Sequence, residues 1–185
     1  ILVHHYHASD KGYPFPFTMH VKWILEKNNK VSVQTTIIND ATVSIPIVDG
    51  WHPYFTLGES IDHCTLQFSS KGKMEYDGDL LPTGNMIADN RFSKGLKIGD
   101  LQLDDGYELS AENSSCTLQN EKFILNINPS SLYPYLQLFT PPDRKSIAIE
   151  NLSGAPNAFN NKIGLHIVKP QENIIFETNY QIAVK

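Results

Sequence analysis

The feature that most limits the fold of this chain is a strict alternation of apolar and polar residues. In FTMHVKWILE, residues 17–26, every odd-numbered residue is apolar and most even-numbered residues are polar. The same period of two runs through VSVQTTIIN, CTLQFSS, FILNIN and IIFETNYQIAV. Because successive side chains of a β-strand point to opposite faces, this period predicts strands with one buried face. No stretch has apolar residues at helical spacing.

Turn sequences separate these segments. EKNNK, DGD, PTGN, SKG, DDG, PPDR and SGAPN each carry the glycine, proline, asparagine or aspartate that tight turns use. Strands with one buried face and short connections are typical of antiparallel sheets packed face to face. We therefore predict an all-β fold, an antiparallel β-sandwich formed by one domain over residues 1–185. The chain opens with ILVHHYHAS, already strand-like and without an initiator methionine, so we expect it to be the C-terminal part of a longer polypeptide.

Charge and composition argue against several classes of partner. The formal net charge of the 185 residues is −5, and lysine and arginine form no basic cluster, which argues against nucleic acid or an anionic membrane as partner. No apolar run approaches the roughly 20 residues of a membrane span. Cys64 and Cys116 follow no metal or redox spacing, and the alternation around Cys64 predicts a buried thiol. We expect a cytoplasmic protein and make no prediction of its oligomeric state.

The motif HHYH near the start invites a metal interpretation. His5 and His7 share one face of a predicted strand, but no carboxylate or thiol lies at ligand spacing nearby, and two imidazoles alone make a poor zinc site. The sequence also has no glycine-rich phosphate loop and no nucleophile elbow. We therefore expect neither a metal nor a cofactor.

The segment DGWHPYF carries the strongest candidate for chemistry. Pro53 restricts the backbone of His52 to extended conformations, and Trp51, Tyr54 and Phe55 surround it with apolar area. A histidine held in this way suits the work of a general acid. The same features fit a structural histidine, so the segment alone leaves both interpretations open.

A second candidate ends the stretch SIAIEN. Ile147 and Ile149 share one face of the predicted strand, whereas Glu150 lies on the other face with small neighbours. The polar loop NLSGAPNAFNN begins directly after Glu150. This carboxylate is a candidate catalytic base, and the alternative is a solvated glutamate at a strand end.

Two further acidic stretches compete for a role. LDDGYEL contains Asp104 and Asp105, and EYDGDLLPTGN contains Asp77 and Asp79. Aspartates beside a glycine most often form turns by accepting hydrogen bonds from nearby backbone amides.

The motifs, taken in order, resemble one family. GYPFPF, DGWHPYF, LLPTGN, LDDGYEL, YLQLFTPPDRKSIAIENLSGAPNAFN and VKPQENIIFETNY follow the order found in the aldose 1-epimerases, or galactose mutarotases. The chain looks most like the bacterial branch whose histidine motif reads HPYF. The resemblance covers almost the whole chain and implies the large two-sheet β-sandwich called a supersandwich. It also implies that family members have further strands before the GYPFPF region, which supply another sugar-contacting histidine and an arginine. We assign that role to none of the histidines here.

The resemblance assigns roles to individual residues. The family's HPYF histidine protonates the ring oxygen of the sugar, which implies this role for His52. A glutamate at the end of a late strand removes the proton of the anomeric hydroxyl, which implies this role for Glu150. An aspartate three residues before an aromatic binds a sugar hydroxyl; Asp104 with Tyr107 fits best, and Asp105 is the alternative.

These roles predict an enzyme that interconverts the α and β anomers of a free monosaccharide. One acid and one base suffice to open and reclose the ring, so the reaction needs no cofactor. Trp51 and Tyr54 are candidates for stacking on the apolar faces of the sugar, with plain packing as the alternative. Two other functions compete: a non-catalytic carbohydrate-binding β-sandwich, and a glycoside-processing enzyme that uses Glu150 and Asp104 as its carboxylate pair.

Overall fold

A computed structural model describes residues 1–185, and their regular structure is almost entirely antiparallel β-strand. Sixteen strands account for most of the regular structure, and a 3-10 turn (Ile61–His63) and one short helix, α1 (Ala158–Asn161), are the only helical segments. The strands are β1 (Leu2–Tyr6), β2 (Phe17–Glu26), β3 (Lys30–Asn39), β4 (Ile45–Ile47), β5 (Tyr54–Phe55), β6 (Thr65–Phe68), β7 (Ser70–Tyr76), β8 (Pro82–Ile87), β9 (Leu96–Lys97), β10 (Asp104–Leu109), β11 (Cys116–Gln119), β12 (Phe123–Pro129), β13 (Tyr135–Phe139), β14 (Ile147–Leu152), β15 (His166–Val168) and β16 (Asn173–Val184). The prediction of an all-β fold is confirmed.

The strands form two large sheets and one small one. The larger sheet has eight strands in the order β1-β2-β3-β16-β12-β11-β6-β9. The second has six strands in the order β5-β14-β13-β10-β7-β8, and β15 pairs with β4 in a two-stranded sheet. Neighbouring strands within each sheet are antiparallel, as the short turn-rich connections predict.

The main core lies between the two large sheets. Leu118 and Ile127 from the eight-stranded sheet and Leu136 from the six-stranded sheet belong to one cluster of 18 buried residues. Cys64 and Cys116 lie in the same cluster, which confirms that Cys64 is buried. Burial raises the pKa of the Cys64 thiol to about 11 and that of Cys116 to about 12, so both remain protonated and unreactive at neutral pH.

The alternating stretches match the observed strands, but one apolar face is not fully covered. FTMHVKWILE forms β2 along its whole length. Val21 on its apolar face is buried, whereas Trp23 and Leu25 on the same face are 47% and 83% exposed. Period-two alternation assigns side chains to a face, and it does not determine what packs against that face.

None of the helical segments is long and apolar enough to cross a membrane.

Candidate active site

The segment DGWHPYF runs antiparallel alongside β14 of the six-stranded sheet. The pairing begins before β5 and continues through it. It consists of three backbone hydrogen bonds and two pairs of facing residues. The bonds are Ser153 N to Asp49 O (2.8 Å), Trp51 N to Asn151 O (3.4 Å) and Ile149 N to Pro53 O (3.3 Å), and the pairs are Tyr54 with Ala148 and Phe55 with Ile147. In this register His52 stands directly opposite Glu150.

The two side chains meet on the outer face of the six-stranded sheet. His52 Nε2 lies 3.2 Å from Glu150 Oε1. The Glu150 side chain is only 9% exposed, whereas that of His52 is 57% exposed. His52 is therefore not a core histidine, and Glu150 is not a solvated glutamate. Tyr54, two residues from His52 and on the same face, stacks on the imidazole with ring centroids 5.1 Å apart.

The surroundings of Glu150 make its carboxylate a stronger base. Burial, which takes the charge out of water, raises the pKa of Glu150, and the negative charge of Asp104 raises it further. The neighbouring His52 acts in the opposite direction, because its positive form stabilises the carboxylate. Burial dominates, so the pKa of Glu150 lies above the ordinary value for a glutamate.

A cavity of ≈ 290 Å³ opens beside this pair. The sheet register builds its floor, because Gln137 on β13 pairs with Glu150 and Gly106 on β10 pairs with Gln137. Gln137 Nε2 donates to Asp104 Oδ1 at 3.0 Å, which holds that carboxylate in place. The cavity is lined by Tyr76, Leu80, Asp104, Gln137, Glu150, Leu152 and Pro156.

The absence of a side chain at Gly106 shapes the cavity. A Cβ atom at this position would lie 2.3 Å from the Tyr76 hydroxyl oxygen and 3.0 Å from Gln137 Oε1. The glycine therefore lets the Tyr76 hydroxyl rest on the sheet, where its hydrogen-bond partner is the sulfur of Met74 at 3.6 Å. Burial raises the pKa of Tyr76, and the charge of Asp104 acts in the same direction. The hydroxyl therefore stays protonated and can donate a hydrogen bond.

Gln137 and Tyr76 were not among the residues predicted from the sequence. A polar residue between the leucines of YLQLF is a signal that could have identified Gln137. Tyr76 gave no signal, because its position in the cavity depends on the strand neighbour Gly106.

Asp104 and Asp105 point to opposite faces of β10. Asp104 lines the cavity. Asp105 forms ion pairs with Lys73 at 3.1 Å and with Arg91 at 3.3 Å. Of the two, Asp104 is the one that shares the cavity with Glu150.

In the other acidic stretch, Asp77 acts as a turn former. Its Oδ1 accepts hydrogen bonds from the backbone amides of Asp79 and Leu81, both at 2.9 Å. This is the role that aspartates beside a glycine most often have.

Trp51 does not lie on the face of the sheet that stacking on a sugar would require. It pairs with Asn151, one residue out of step with His52, so its indole points to the opposite face of the segment. The indole N–H donates to Thr35 Oγ1 at 3.2 Å, and the ring packs edge-on against Trp23. Trp51, His52 and Tyr54 are all absent from the residues that line the cavity, and the contacts of Trp51 are those of a packing residue. Of the two predicted stacking aromatics, only Tyr54 lies on the face of His52.

A hydrogen-bonded pair, the buried Tyr133 and the half-buried Asp49, anchors the segment that carries His52. The Tyr133 hydroxyl donates to Asp49 Oδ2, and the backbone amide of Asp49 donates to Ser153 Oγ at 2.8 Å. Burial raises the pKa of Asp49, and the hydrogen bond from Tyr133 partly offsets that effect. Gly50 allows the close approach to β14, because a Cβ there would lie 2.5 Å from Leu152 Cδ2.

His4 and His5 of HHYH lie on β1, at the edge of the eight-stranded sheet, and His7 follows its last residue. His5 Nδ1 is 2.9 Å from Thr18 Oγ1, which in turn donates to Asp40 at 2.6 Å. No group of three or more histidine, cysteine, aspartate or glutamate side chains is arranged to hold a metal ion.

Known proteins resemble this chain over nearly its whole length. The family model described as aldose 1-epimerase matches residues 1–181. An uncharacterized protein of Escherichia coli K12, YihR, is 26% identical over 164 residues, which is 85% of this chain and 53% of that protein.

Solved structures show the same fold. A galactose mutarotase-like protein from Clostridium acetobutylicum superposes with a TM-score of 0.88 at 18% identity, covering 99% of this chain and 62% of its own. A galactose 1-epimerase from Lactobacillus acidophilus NCFM gives a TM-score of 0.82 at 19% identity, with the same coverage of 99% and 62%. The chain thus spans between about half and two thirds of the length of these relatives. Because the family model matches almost every residue, the chain belongs to the aldose 1-epimerase family.

Proposed function

We propose that this protein interconverts the α and β anomers of a free aldose, with Glu150 as the base and His52 as the acid. The observation that carries the proposal is the 3.2 Å contact between His52 Nε2 and Glu150 Oε1, together with the position of Glu150 in the lining of a cavity of ≈ 290 Å³. Ring opening requires an ionised base and a protonated acid at its start. A carboxylate in contact with an imidazolium provides both.

The chemistry follows from the two positions. Glu150 takes the proton from the anomeric hydroxyl while His52 gives one to the ring oxygen, so the C1–O5 bond breaks and an aldehyde forms. Both oxygens are bonded to C1, so one compact acid–base pair reaches them together. Rotation about the C1–C2 bond presents the other face of the aldehyde, and the reverse transfers close the ring. The raised pKa of Glu150 strengthens it as a base for the first transfer.

The rest of the cavity supplies groups that bind hydroxyls. We assign Asp104 to a sugar hydroxyl, with Gln137 holding its carboxylate through the 3.0 Å hydrogen bond. The Tyr76 hydroxyl has a thioether as its partner and can exchange that weak bond for a stronger one to the sugar. Leu80, Leu152 and Pro156 offer apolar area to the C–H faces of a pyranose.

The decisive experiment measures anomer exchange directly. Freshly dissolved α-glucose and α-galactose are followed by polarimetry or NMR, with the wild type, with Glu150→Gln, and with Glu121→Gln as a matched control at an exposed turn. We expect acceleration by the wild type and by the control, and a loss of about 10²- to 10⁴-fold for Glu150→Gln. Wild-type protein that binds these sugars without accelerating exchange would favour the carbohydrate-binding module.

A glycoside-processing enzyme is the second candidate, because Glu150 and Asp104 share one cavity. Nitrophenyl glycosides separate the two activities. A glycosidase releases nitrophenol and does not depend on His52, whereas the proposed epimerase leaves the glycosidic bond intact.

A further inference from the structure

The ring of Tyr54 stacks on the imidazole of His52, which lies two residues earlier on the same face of the sheet. The ring centroids are 5.1 Å apart, and the ring planes differ by 22°. Tyr54 is 50% exposed, so it contributes little to the core of the sandwich. Its one aromatic contact is with the residue proposed as the acid.

The alternation of side chains along the segment brings the two rings together. Phe55 points into the sandwich, where its ring centroid lies 5.6 Å from that of Tyr180. Tyr54, the preceding residue of β5, therefore points to the outer face, as His52 does. The residue opposite Tyr54 on β14 is Ala148, whose short side chain leaves room above the sheet for the phenol ring.

The imidazole of His52 has few polar contacts that could fix its orientation. Nε2 lies 3.2 Å from Glu150 Oε1, Nδ1 makes no hydrogen bond within the protein, and the side chain is 57% exposed. Histidines that move protons or bind metals commonly have their second ring nitrogen held by a hydrogen bond, which fixes the plane of the ring. A contact at Nε2 alone fixes the position of one atom and leaves the plane of the imidazole undetermined.

The stack on Tyr54 supplies the missing constraint. With the two rings 5.1 Å apart and within 22° of parallel, a large rotation of the imidazole would drive its edge into the phenol ring. Stacked aromatic rings also attract each other beyond the area that they bury. Pro53 restricts the backbone of His52 at the same time. The two residues after His52 therefore fix both its backbone and the plane of its ring.

Tyr54 itself is poorly placed to contact the sugar. It does not line the cavity that contains Glu150, and the imidazole of His52 occupies one face of its ring. Its hydroxyl makes no hydrogen bond within the protein. Any effect of Tyr54 on the reaction therefore passes through His52, and the ring rather than the hydroxyl produces that effect.

We propose that Tyr54 is the positioning residue for the acid. Its ring holds the imidazole of His52 in the plane in which Nε2 faces Glu150 and the ring oxygen of the sugar. This inference rests on the proposed anomer exchange for the role of His52. It assigns to Tyr54 an effect on proton transfer and none on sugar binding.

The kinetic test separates the ring of Tyr54 from its hydroxyl. Exchange of α-glucose and α-galactose is measured by NMR for Tyr54→Leu and Tyr54→Phe, with circular dichroism to verify folding. Phe159→Leu is the control, because Phe159 has a similar exposure of 45% and makes no aromatic contact with His52. We expect Tyr54→Leu to lower kcat by about 2- to 10-fold, the size of one aromatic contact, with KM unchanged. Tyr54→Phe and the control should keep the wild-type kcat.

Three kinetic results would overturn the proposal. A rise in KM for Tyr54→Leu would place Tyr54 against the sugar, since loss of a substrate contact raises KM. An equal loss of kcat in Tyr54→Phe and Tyr54→Leu would assign the effect to the hydroxyl. Wild-type kcat and KM in Tyr54→Leu would show that the stack has no role in the reaction.

A spectroscopic measurement keeps the test independent of catalysis. The ring current of Tyr54 should shift the imidazole proton signals of His52 upfield in the sugar-free wild type and in Tyr54→Phe, and the shift should disappear in Tyr54→Leu. These shifts without anomer exchange by the wild type would reject the proposed function and keep the stack. Identical imidazole signals in the wild type and Tyr54→Leu would reject the positioning of His52 alone.

Discussion

His52 stands directly across from Glu150 in an antiparallel pairing, and their Nε2 and Oε1 atoms are 3.2 Å apart. The sheet register brings together two residues that are far apart in the sequence. A slip of one residue would turn His52 to the opposite face and replace it with Trp51 or Pro53. The geometry of the acid–base pair therefore depends on every contact that anchors this segment to β14.

We expect His52→Asn to slow anomer exchange by about 10²- to 10⁴-fold, because asparagine cannot protonate the ring oxygen. The double variant with Glu150→Gln should lose much less than the product of the single losses, since the two proton transfers act as a unit. Rates from polarimetry, with circular dichroism to verify folding, check both statements. His63, which pairs with Glu59 at 3.1 Å on the surface, supplies the matched control His63→Asn, with no loss expected. Near wild-type rates in folded His52→Asn would remove histidine from the mechanism.

The rate of anomer exchange should fall at acidic pH. The acidic limb follows ionisation of Glu150, whose pKa is raised by burial, so this limb should lie above the ordinary glutamate value of about 4.3. A pH–rate profile of kcat/KM provides the measurement. An acidic limb at or below the ordinary value would contradict the assignment of the base to Glu150.

The same raised pKa predicts that Glu150→Gln stabilises the fold at neutral pH. The folded protein holds the proton of Glu150 up to a higher pH than the unfolded chain does, so stability falls as pH rises between the two pKa values. Above that range the ionised, buried carboxylate lowers the free energy of unfolding by a constant amount. Glutamine carries no charge and removes this loss. Below about pH 4 the carboxyl is protonated in both states, and the gain should vanish. Urea unfolding at pH 7 and below pH 4 measures the difference, and an equal difference at both would contradict it.

Substitutions of Asp104 and Asp105 should have different effects, one on sugar binding and the other on the stability of the fold. Asp104→Asn should weaken sugar binding by about 1.5–3 kcal/mol, the value of a hydrogen bond to a charged group, and should leave unfolding nearly unchanged. Asp105→Asn should lower stability, because it breaks the pairs with Lys73 and Arg91, and should leave KM nearly unchanged. Steady-state kinetics and urea unfolding test both variants. A rise in KM confined to Asp105→Asn would transfer the binding role to Asp105.

Gly106→Ala should damage the floor of the cavity. The new methyl group overlaps the Tyr76 hydroxyl, so we expect a loss of about 1–3 kcal/mol in the free energy of unfolding, together with weaker sugar binding. Tyr76→Phe removes the overlapping oxygen and should restore most of the stability in the double variant. Gly78→Ala is the control, since a Cβ there meets no atom within 4 Å. A fully stable Gly106→Ala single variant would show that the close contact is unimportant.

The anchor under the His52 segment can be tested by Tyr133→Phe. The change leaves the half-buried Asp49 carboxylate without its hydroxyl donor, which should cost about 1.5–3 kcal/mol in the free energy of unfolding. Tyr13→Phe, which removes one hydrogen bond to the backbone carbonyl of Pro46, should cost only about 0.5–1.5 kcal/mol. Urea unfolding ranks the two variants. Equal losses would indicate that the Asp49 contact is no stronger than an ordinary surface hydrogen bond.

Local patterns in the sequence were sufficient for the strands and for the chemistry of single residues. The period of two and the turn residues between the segments predicted the strands, because alternation of side chains is a property of each strand by itself. The order of the motifs identified the family, and through it His52 and Glu150 as the candidate pair.

The contacts between strands were decided by the tertiary structure alone. Gln137 and Tyr76 join the cavity because of which strands are neighbours, and Trp51 leaves it because its register places it one residue out of step with His52. The tertiary structure also distinguishes the two aspartates, because Asp104 lines the cavity and Asp105 is paired with two cations. A sequence specifies the two faces of each strand, but strand order and register determine which faces meet, and those depend on pairings between residues that are distant along the chain.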